Sequence, residues 1–377
     1  MTLSLMKMPR SVDIEITSGC NLRCTYCSHF SAAGDVDQDL PLSAWRRFFT
    51  EIGRCGVMNV TLSGGEPFYR QDLQEVIAAI VENRMRFSIL SNGTLIEPEM
   101  AAYIFSTGRC NSVQVSIDGA IDITHDSFRG EGNFVKAIHG IRTLQRAHVP
   151  VAVRVTIHRK NVRELDAVAS LLLDEIGLPS FSTNAASYMG LCRKNTELTQ
   201  LTVEERSLAM ETLLDLVDRY PGRISATAGP LAEATMWAEM KEARREGKPR
   251  IEGRGFLTGC GGPFSNIAVR ADGAYVPCSQ LGHLVLGQIN EDDLCDIWQN
   301  HPLLWEFRKR RLIPLSSFAF CRGCPYVDYC TGNCPALAYN LTGEINHPSP
   351  DACLRLFEEQ GGRLPERLLH HEPATTL

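Results

Sequence analysis

Three cysteines, Cys20, Cys24 and Cys27, fall within eight residues, directly after a short apolar run from Val12 to Thr17. If that run is a strand, all three thiols sit in one loop at its carboxyl end. Seven more form a patterned set: Cys260, Cys278, Cys321, Cys324, Cys330, Cys334 and Cys353. The chain carries fourteen cysteines in 377 residues, and Met1 to Arg10 lacks the apolar run of an export signal. In a reducing compartment such a set argues for metal or catalysis over a disulfide framework. Cys55, Cys110, Cys192 and Cys295 fit neither group, and a small buried side chain is the default for each.

The first half alternates short apolar runs with amphipathic stretches, the pattern of βα units around a parallel sheet. Six strands are expected, at Val12–Thr17, Val57–Leu62, Arg86–Leu90, Ser112–Ile117, Val151–Ile157 and Ser180–Asn184. Helices are expected at Ser43–Cys55 with a serine N-cap, Gln71–Asn83, Asn133–Ala147 and Asn161–Ile176. In such a sheet the chemistry belongs at the carboxyl ends of the strands. The alternation stops near residue 190. Leu201–Tyr220 reads as a helix, and the charged, glycine-containing Lys241–Arg254 as linker. Asn266–Cys278 reads as a hairpin across Ala271-Asp272-Gly273. A helix over Asp292–Arg311 would end in Arg308-Lys309-Arg310-Arg311, a run that suits a solvated last turn better than a phosphate patch. The expected division is a barrel over 1–215, a bridging region over 216–255, a cysteine-rich domain over 256–360 and a weakly ordered tail over 361–377.

At 44% hydrophobic and 22% charged residues the chain can bury a sizeable core, and a net charge of −6 gives no general attraction to nucleic acid or anionic lipid. No segment approaches the ~20 apolar residues of a membrane span. A cytoplasmic location is expected, with neither nucleic acid nor membrane as partner.

A 4Fe-4S cube needs four attachments, so three thiolates from Cys20, Cys24 and Cys27 would leave one iron open. A zinc site is the alternative, but zinc loops usually pair CxxC with a distant second pair. The spacing Cys20-Asn21-Leu22-Arg23-Cys24-Thr25-Tyr26-Cys27, followed by Gly64-Gly65-Glu66-Pro67 after the second strand, resembles the radical S-adenosylmethionine (SAM) superfamily. The resemblance implies a partial (β/α)6 barrel of the TIM type. It also implies that SAM chelates the open iron and is split to methionine and a 5'-deoxyadenosyl radical. By the same resemblance Gly64, Gly65 and Glu66 would face the methionine amino group, and the backbone of Tyr26 would meet adenine. Asn92, Ser116, Asp118 and Arg154 lie at or near strand ends as further SAM contacts, and Arg129 resembles the arginine that recurs after the fourth strand. Cys192, after the sixth strand, is a candidate hydrogen donor to a substrate radical, against the plainer reading of a buried structural thiol.

The C-terminal spacing resembles the SPASM domain of radical SAM peptide-modifying enzymes, whose seven-cysteine signature is complete here. It implies two auxiliary clusters, an outer one on Cys321, Cys324, Cys330 and Cys353 and an inner one on Cys260, Cys278 and Cys334. A double zinc ribbon is the alternative for the same thiols. Ser91-Asn92-Gly93-Thr94-Leu95 and Cys330-Thr331-Gly332-Asn333-Cys334-Pro335 look most like maturases of small ribosomal precursor peptides, of the SynChlorMet type. The implied reaction is hydrogen abstraction from a peptide residue, ending in a crosslink, an epimer or an oxidised side chain. An anaerobic sulfatase maturase forming formylglycine is the alternative on the same two domains. Molybdenum-cofactor-type chemistry would need a different C-terminal cluster and tail. An iron-sulfur electron carrier would have no need of a Gly-Gly-Glu-Pro amino-group site. The implied partners are a precursor peptide and a low-potential donor such as flavodoxin or ferredoxin. With only 19 residues before Cys20, leader recognition would use a separate protein or the enzyme's own surface, or be absent.

Overall fold

The structure is a computed structural model that describes residues 5–30 and 38–369. In chain order it begins β1 (Ser11–Thr17), α1 (Leu42–Arg54), β2 (Asn59–Gly64), α2 (Leu73–Glu82), β3 (Arg86–Ser91), α3 (Pro98–Ser106) and β4 (Cys110–Ser116). Next come α4 (Asp122–Arg129), α5 (Asn133–Arg146), β5 (Val151–Ile157), α6 (Leu165–Ser170), β6 (Phe181–Ala185) and the short α7 (Thr196–Thr199). They are followed by α8 (Val203–Arg219), β7 (Ile224–Ala226), α9 (Pro230–Arg245) and α10 (Gly262–Ser265). Last are β8 (Asn266–Val269), β9 (Ala274–Val276), β10 (Gly287–Gln288), α11 (Leu294–Asn300), α12 (Pro302–Lys309), α13 (Pro335–Thr342) and α14 (Leu354–Glu359). Two compact units share these elements, one formed by residues up to 154 with 189–194 and 261–308, the other by 155–188, 195–260 and 309 onward.

The first unit carries the βα repeat. β1 alternates so that Val12, Ile14 and Ile16 are fully buried, and it pairs parallel with β2, β2 with β3, β3 with β4 and β4 with β5. α1 covers this sheet with Trp45, Phe48, Phe49 and Ile52. β1 would be an open edge, which proteins avoid. Here β8 pairs parallel with it, Ser11 opposite Asn266, and the β8–β9 hairpin and β10 continue the sheet. The hairpin turns at Gly273, whose φ of +88° suits glycine. The cysteine-rich segment therefore supplies strands to the sheet of the N-terminal segment. In the second unit β6 and β7 pair parallel, and a capping box, Thr202 with Glu205, starts α8. Among the described residues no helix is long and apolar enough to cross a membrane.

Several expectations change. α1 starts one residue early, with Pro41 at the N-cap and Ser43 inside the first turn. The expected helix from Asn161 is shortened to α6 and continues as a π turn over Leu171–Glu175. The bridging region is not a loose linker, because it contains β7 and α9, which buries Leu231, Trp237 and Met240. The helix expected over 292–311 is two helices, since the residue before a proline resists helical geometry, and His301 before Pro302 is extended. The turn of three arginines and a lysine is only partly solvated: Lys309 is exposed, but Arg308 is fully buried and Arg310 is 3% exposed. Cys295 is exposed while its neighbours Leu294, Ile297 and Trp298 are buried. The tail is packed as far as it is described. Leu364 is buried, and Arg367 pairs with Asp215 and Asp218; residues 370–377 lie outside the described residues.

Candidate active site

The loop after β1 holds Cys20, Cys24 and Cys27, all half-buried. Its start is fixed by a residue that sequence spacing does not reveal. Asp39 accepts from the Ser18 amide at 2.7 Å, from the Ser18 hydroxyl at 3.0 Å and from the Thr17 hydroxyl. Its end is fixed by α4, where the Thr25 amide donates to the Phe128 carbonyl at 3.0 Å. The loop also packs on the Gly190–Lys194 turn. Leu191 donates to the Cys27 carbonyl at 2.8 Å, and a Cβ on Gly190 would lie 2.4 Å from that oxygen. Cys192, in this turn, is fully buried.

The strongest electrostatic feature is a buried cluster of Tyr26, Asp118 and Arg129. Asp118 is fully buried, Arg129 is 7% exposed, and one Asp118 oxygen accepts from both the Arg129 Nε and the Tyr26 hydroxyl. Arg129 also donates to the Tyr26 oxygen and lies 5.5 Å from the centre of its ring. Burial and the Asp118 charge hold the Tyr26 hydroxyl well above its ordinary range, so it stays protonated. Asp118 and Arg129 thus act as a strut that seats Tyr26, and with it the cysteine loop, on α4.

Glu66 closes the opposite side. It is 1% exposed, and its carboxylate accepts from the Phe68 amide at 3.2 Å, the Ser91 hydroxyl at 2.8 Å and the Asn92 amide at 2.6 Å. Of roughly four lone-pair positions on a carboxylate, about one is left for a ligand ammonium. Burial raises its pKa to about 7, against the lowering effect of these three hydrogen bonds. Gly64 and Gly65 are needed for close approach. A Cβ on Gly65 would lie 2.1 Å from the Gly19 carbonyl, and one on Gly64 2.2 Å from that of Thr17. Asn92 reaches the cysteine loop, its Nδ2 lying 2.9 Å from Asn21 Oδ1 and 3.9 Å from Cys20 Sγ. Ser116, at the end of β4, is the register partner of Arg154, which lies in the middle of β5 and not at the strand end expected of it. His125 accepts from the Asp118 amide at 3.2 Å, and burial lowers it to about 4, so it is neutral.

These residues fit a thiolate-held cluster. Cys20 and Cys27 both act on Cys24, and burial pushes the Cys24 thiol up to about 12, with Arg129 opposing. Among the described residues no three His, Cys, Asp or Glu side chains converge on a single ion; a cube takes one thiolate on each iron and needs its sulfurs spread apart.

In the second unit Cys324, Cys330 and Cys353 act on Cys321, so four of the patterned thiols do gather. Burial raises Cys321 to about 12 and Cys330 to about 11. Cys260 and Cys334 are brought together by their neighbours. Gly259 donates to the Thr331 carbonyl at 3.0 Å, and a Cβ on Gly259 would lie 2.4 Å from the Asn333 carbonyl. A cavity of about 330 Å³ opens beside Cys334, walled by Ser187, Gln200, Thr227, Glu233 and Asn333.

The radical SAM superfamily model matches residues 14–172, and an iron-sulfur cluster-binding domain model of the SPASM type matches 260–325. The chain is 29% identical to the AdoMet-dependent heme synthase of Methanosarcina barkeri, covering 92% of this chain and 97% of the relative. It is 25% identical to the PqqA peptide cyclase of Granulibacter bethesdensis, covering 93% and 89%. In fold it is similar to Streptococcus suis SuiB bound to S-adenosylmethionine, with a TM-score of 0.71 at 17% identity over 93% of this chain and 78% of that one.

Proposed function

Given that the chain is a radical SAM enzyme with a C-terminal SPASM domain, we propose that it modifies a residue of a ribosomally made peptide by hydrogen abstraction. The observation that carries the reaction class is the β1 loop, which presents three thiols between the Glu66–Asn92 clamp and the Asp118–Arg129 strut. When bound there, the cluster supplies the electron that cleaves SAM reductively.

The chain's own residues do the positioning. Cys20, Cys24 and Cys27 would ligate the cluster. Glu66, through its spare acceptor position, would take the amino group of SAM, and Gly64 and Gly65 let that turn lie against the β1 backbone. Asn92, Ser116 and Arg154 would line the nucleoside side, with Tyr26 held by Asp118 and Arg129. Cys321, Cys324, Cys330 and Cys353 would ligate the outer auxiliary cluster, and Cys260, Cys278 and Cys334 the inner one. The complete burial of Cys192 favours a packing role over hydrogen donation.

The peptide reading is supported by the similarity to the PqqA peptide cyclase and to SuiB, also solved bound to the precursor peptide SuiA. A tetrapyrrole substrate is the second reading, favoured by the heme synthase relative, 97% of whose length is matched. One experiment separates them. Anaerobically reconstituted protein is given SAM and a low-potential reductant with either candidate precursor peptides or an iron porphyrin. A mass change on a peptide, coupled to 5'-deoxyadenosine, supports the first; a mass change on the porphyrin alone replaces it by the second. Replacing Cys20, Cys24 and Cys27 together by Ala removes 5'-deoxyadenosine formation in either case. Cleavage at the unaltered rate in that variant would refute the site itself.

A further inference from the structure

Among the described residues, the second unit buries a cation that no carboxylate answers. Arg310 is 3% exposed, and both of its terminal guanidinium nitrogens are buried without a hydrogen-bond partner. Other enclosed arginines of the same unit are served. Arg206 is paired with Glu233, and Arg355, beside the outer cysteine set, donates to the Phe320 carbonyl at 2.7 Å and lies 3.7 Å from Glu359. A desolvated guanidinium with idle donors is strongly unfavourable unless a negative group completes it. The ionisable groups acting on Arg310 are Cys260 and Cys334. The backbone brings these two together, Gly259 lying against Asn333 immediately before each cysteine. Neutral thiols do not compensate a cation. Thiolates holding an iron-sulfur cluster do, and charge and hydrogen bonds at the sulfurs are among the levers that set a cluster's potential.

We infer that Arg310 is the built-in counter-charge of the inner auxiliary cluster, a positioning and tuning residue that favours that cluster's reduced form. This rests on the proposal that Cys260 and Cys334 ligate that cluster. Reduction adds one negative charge, which a cation beside the sulfurs stabilises, so Arg310 raises the reduction potential. The adjacent cysteine is also the one that borders the 330 Å³ cavity. An inner cluster so biased would accept an electron from a substrate bound in that cavity more readily than one without the cation.

The test uses the full, anaerobically reconstituted chain, with iron counted and each cluster followed by electron paramagnetic resonance during a redox titration. The Cys260→Ala, Cys334→Ala double variant identifies the inner signal by its loss together with one cluster's iron. Full iron and an unaltered spectrum in that variant would overturn the ligand assignment and the counter-charge role with it, whereas failure of the Arg310 variants alone overturns only the latter. Arg310→Gln and Arg310→Met, two neutral side chains of different shape, should keep the iron and shift the inner reduction equilibrium at least tenfold toward the oxidised form. That is about 59 mV more negative for a one-electron couple. The other two centres should not move. Arg310→Lys, which keeps the charge, should stay within threefold of the parent. An unmoved inner midpoint in both neutral variants, or an equal shift in Arg310→Lys, overturns the counter-charge role. Loss of the inner cluster in both neutral variants but not in Arg310→Lys supports it, whereas loss in all three overturns it.

Discussion

Replacing Asp118 by Asn tests whether the buried strut holds the cysteine loop. The change keeps the shape of the side chain but removes the charge facing Arg129, which is 7% exposed. Two unit charges 4 Å apart at an effective dielectric of about 20 attract by about 4 kcal/mol. Breaking a buried pair by removing one partner costs about 3–5 kcal/mol, because the other charge is left stranded. The same Asp118 oxygen also accepts from Tyr26, so the penalty falls on the segment from Cys24 to Cys27. Hydrogen exchange reads that segment locally, which a global melt of a multidomain cluster protein does not. The Thr25 amide, bonded to the Phe128 carbonyl, should lose about two to three and a half decades of protection, at about 1.4 kcal/mol per decade. Adding Arg129→Met should restore much of the loss, since the stranded charge goes with it. Protection in Asp118→Asn within threefold of the parent would refute the strut.

Three further outcomes are expected. Glu66 has a pKa raised above its unfolded value, so the native state binds more protons than the unfolded one between about pH 4.5 and 7, and Glu66's contribution to stability declines as pH rises through that window; Glu66→Gln should therefore gain on the parent between pH 5 and 7 in denaturant titrations, and a constant difference would refute this. Gly190→Ala, at a φ of +51° with a Cβ 2.4 Å from the Cys27 carbonyl, costs about 1–2 kcal/mol in backbone strain alone and should lower first-cluster iron and 5'-deoxyadenosine yield, where unchanged iron would count against the packing. Cys192→Ser should leave the turnover rate within twofold while losing about 1–3 kcal/mol of stability to a buried hydroxyl; a tenfold slower rate at full iron content would instead assign Cys192 to the chemistry.

The parallel βα repeat was legible because short strand-like runs recur between amphipathic helical stretches, and because β2 and β3 end in Gly-Gly-Glu and Asn-Gly turns. The three-thiol loop was legible from spacing. Its supports were not. Asp39 acts from twenty-one residues beyond Ser18, and no periodicity links a lone aspartate to a strand end. The roles of Glu66 and Asp118 were half legible, placed correctly at strand ends but read as ligand contacts, whereas each is engaged by several donors of the protein itself.

The Arg308–Arg311 turn shows why sequence reasoning failed where the chemistry is least ordinary. Four basic residues at a helix end are favoured by the helix dipole and usually face water, and the one acid in α12, Glu306, is itself exposed. Arg308 is instead fully enclosed, its guanidinium 4.7 Å from the Trp298 ring and 5.3 Å from that of Trp305, with Nε donating to the Pro263 carbonyl at 2.9 Å. Pro302 breaks the expected helix, with His301 extended, so that α12 starts as a helix separate from α11. Arg308 thus stacks on aromatic rings within the first unit, while Arg310, two residues on, belongs to the second unit and meets Cys260 and Cys334. Burial lowers both to about 10, so each remains charged at neutral pH. Two buried cations, one stacked on π-faces with only its Nε hydrogen-bonded among the described residues and one beside thiols that a metal would ionise, follow from one proline and one basic run.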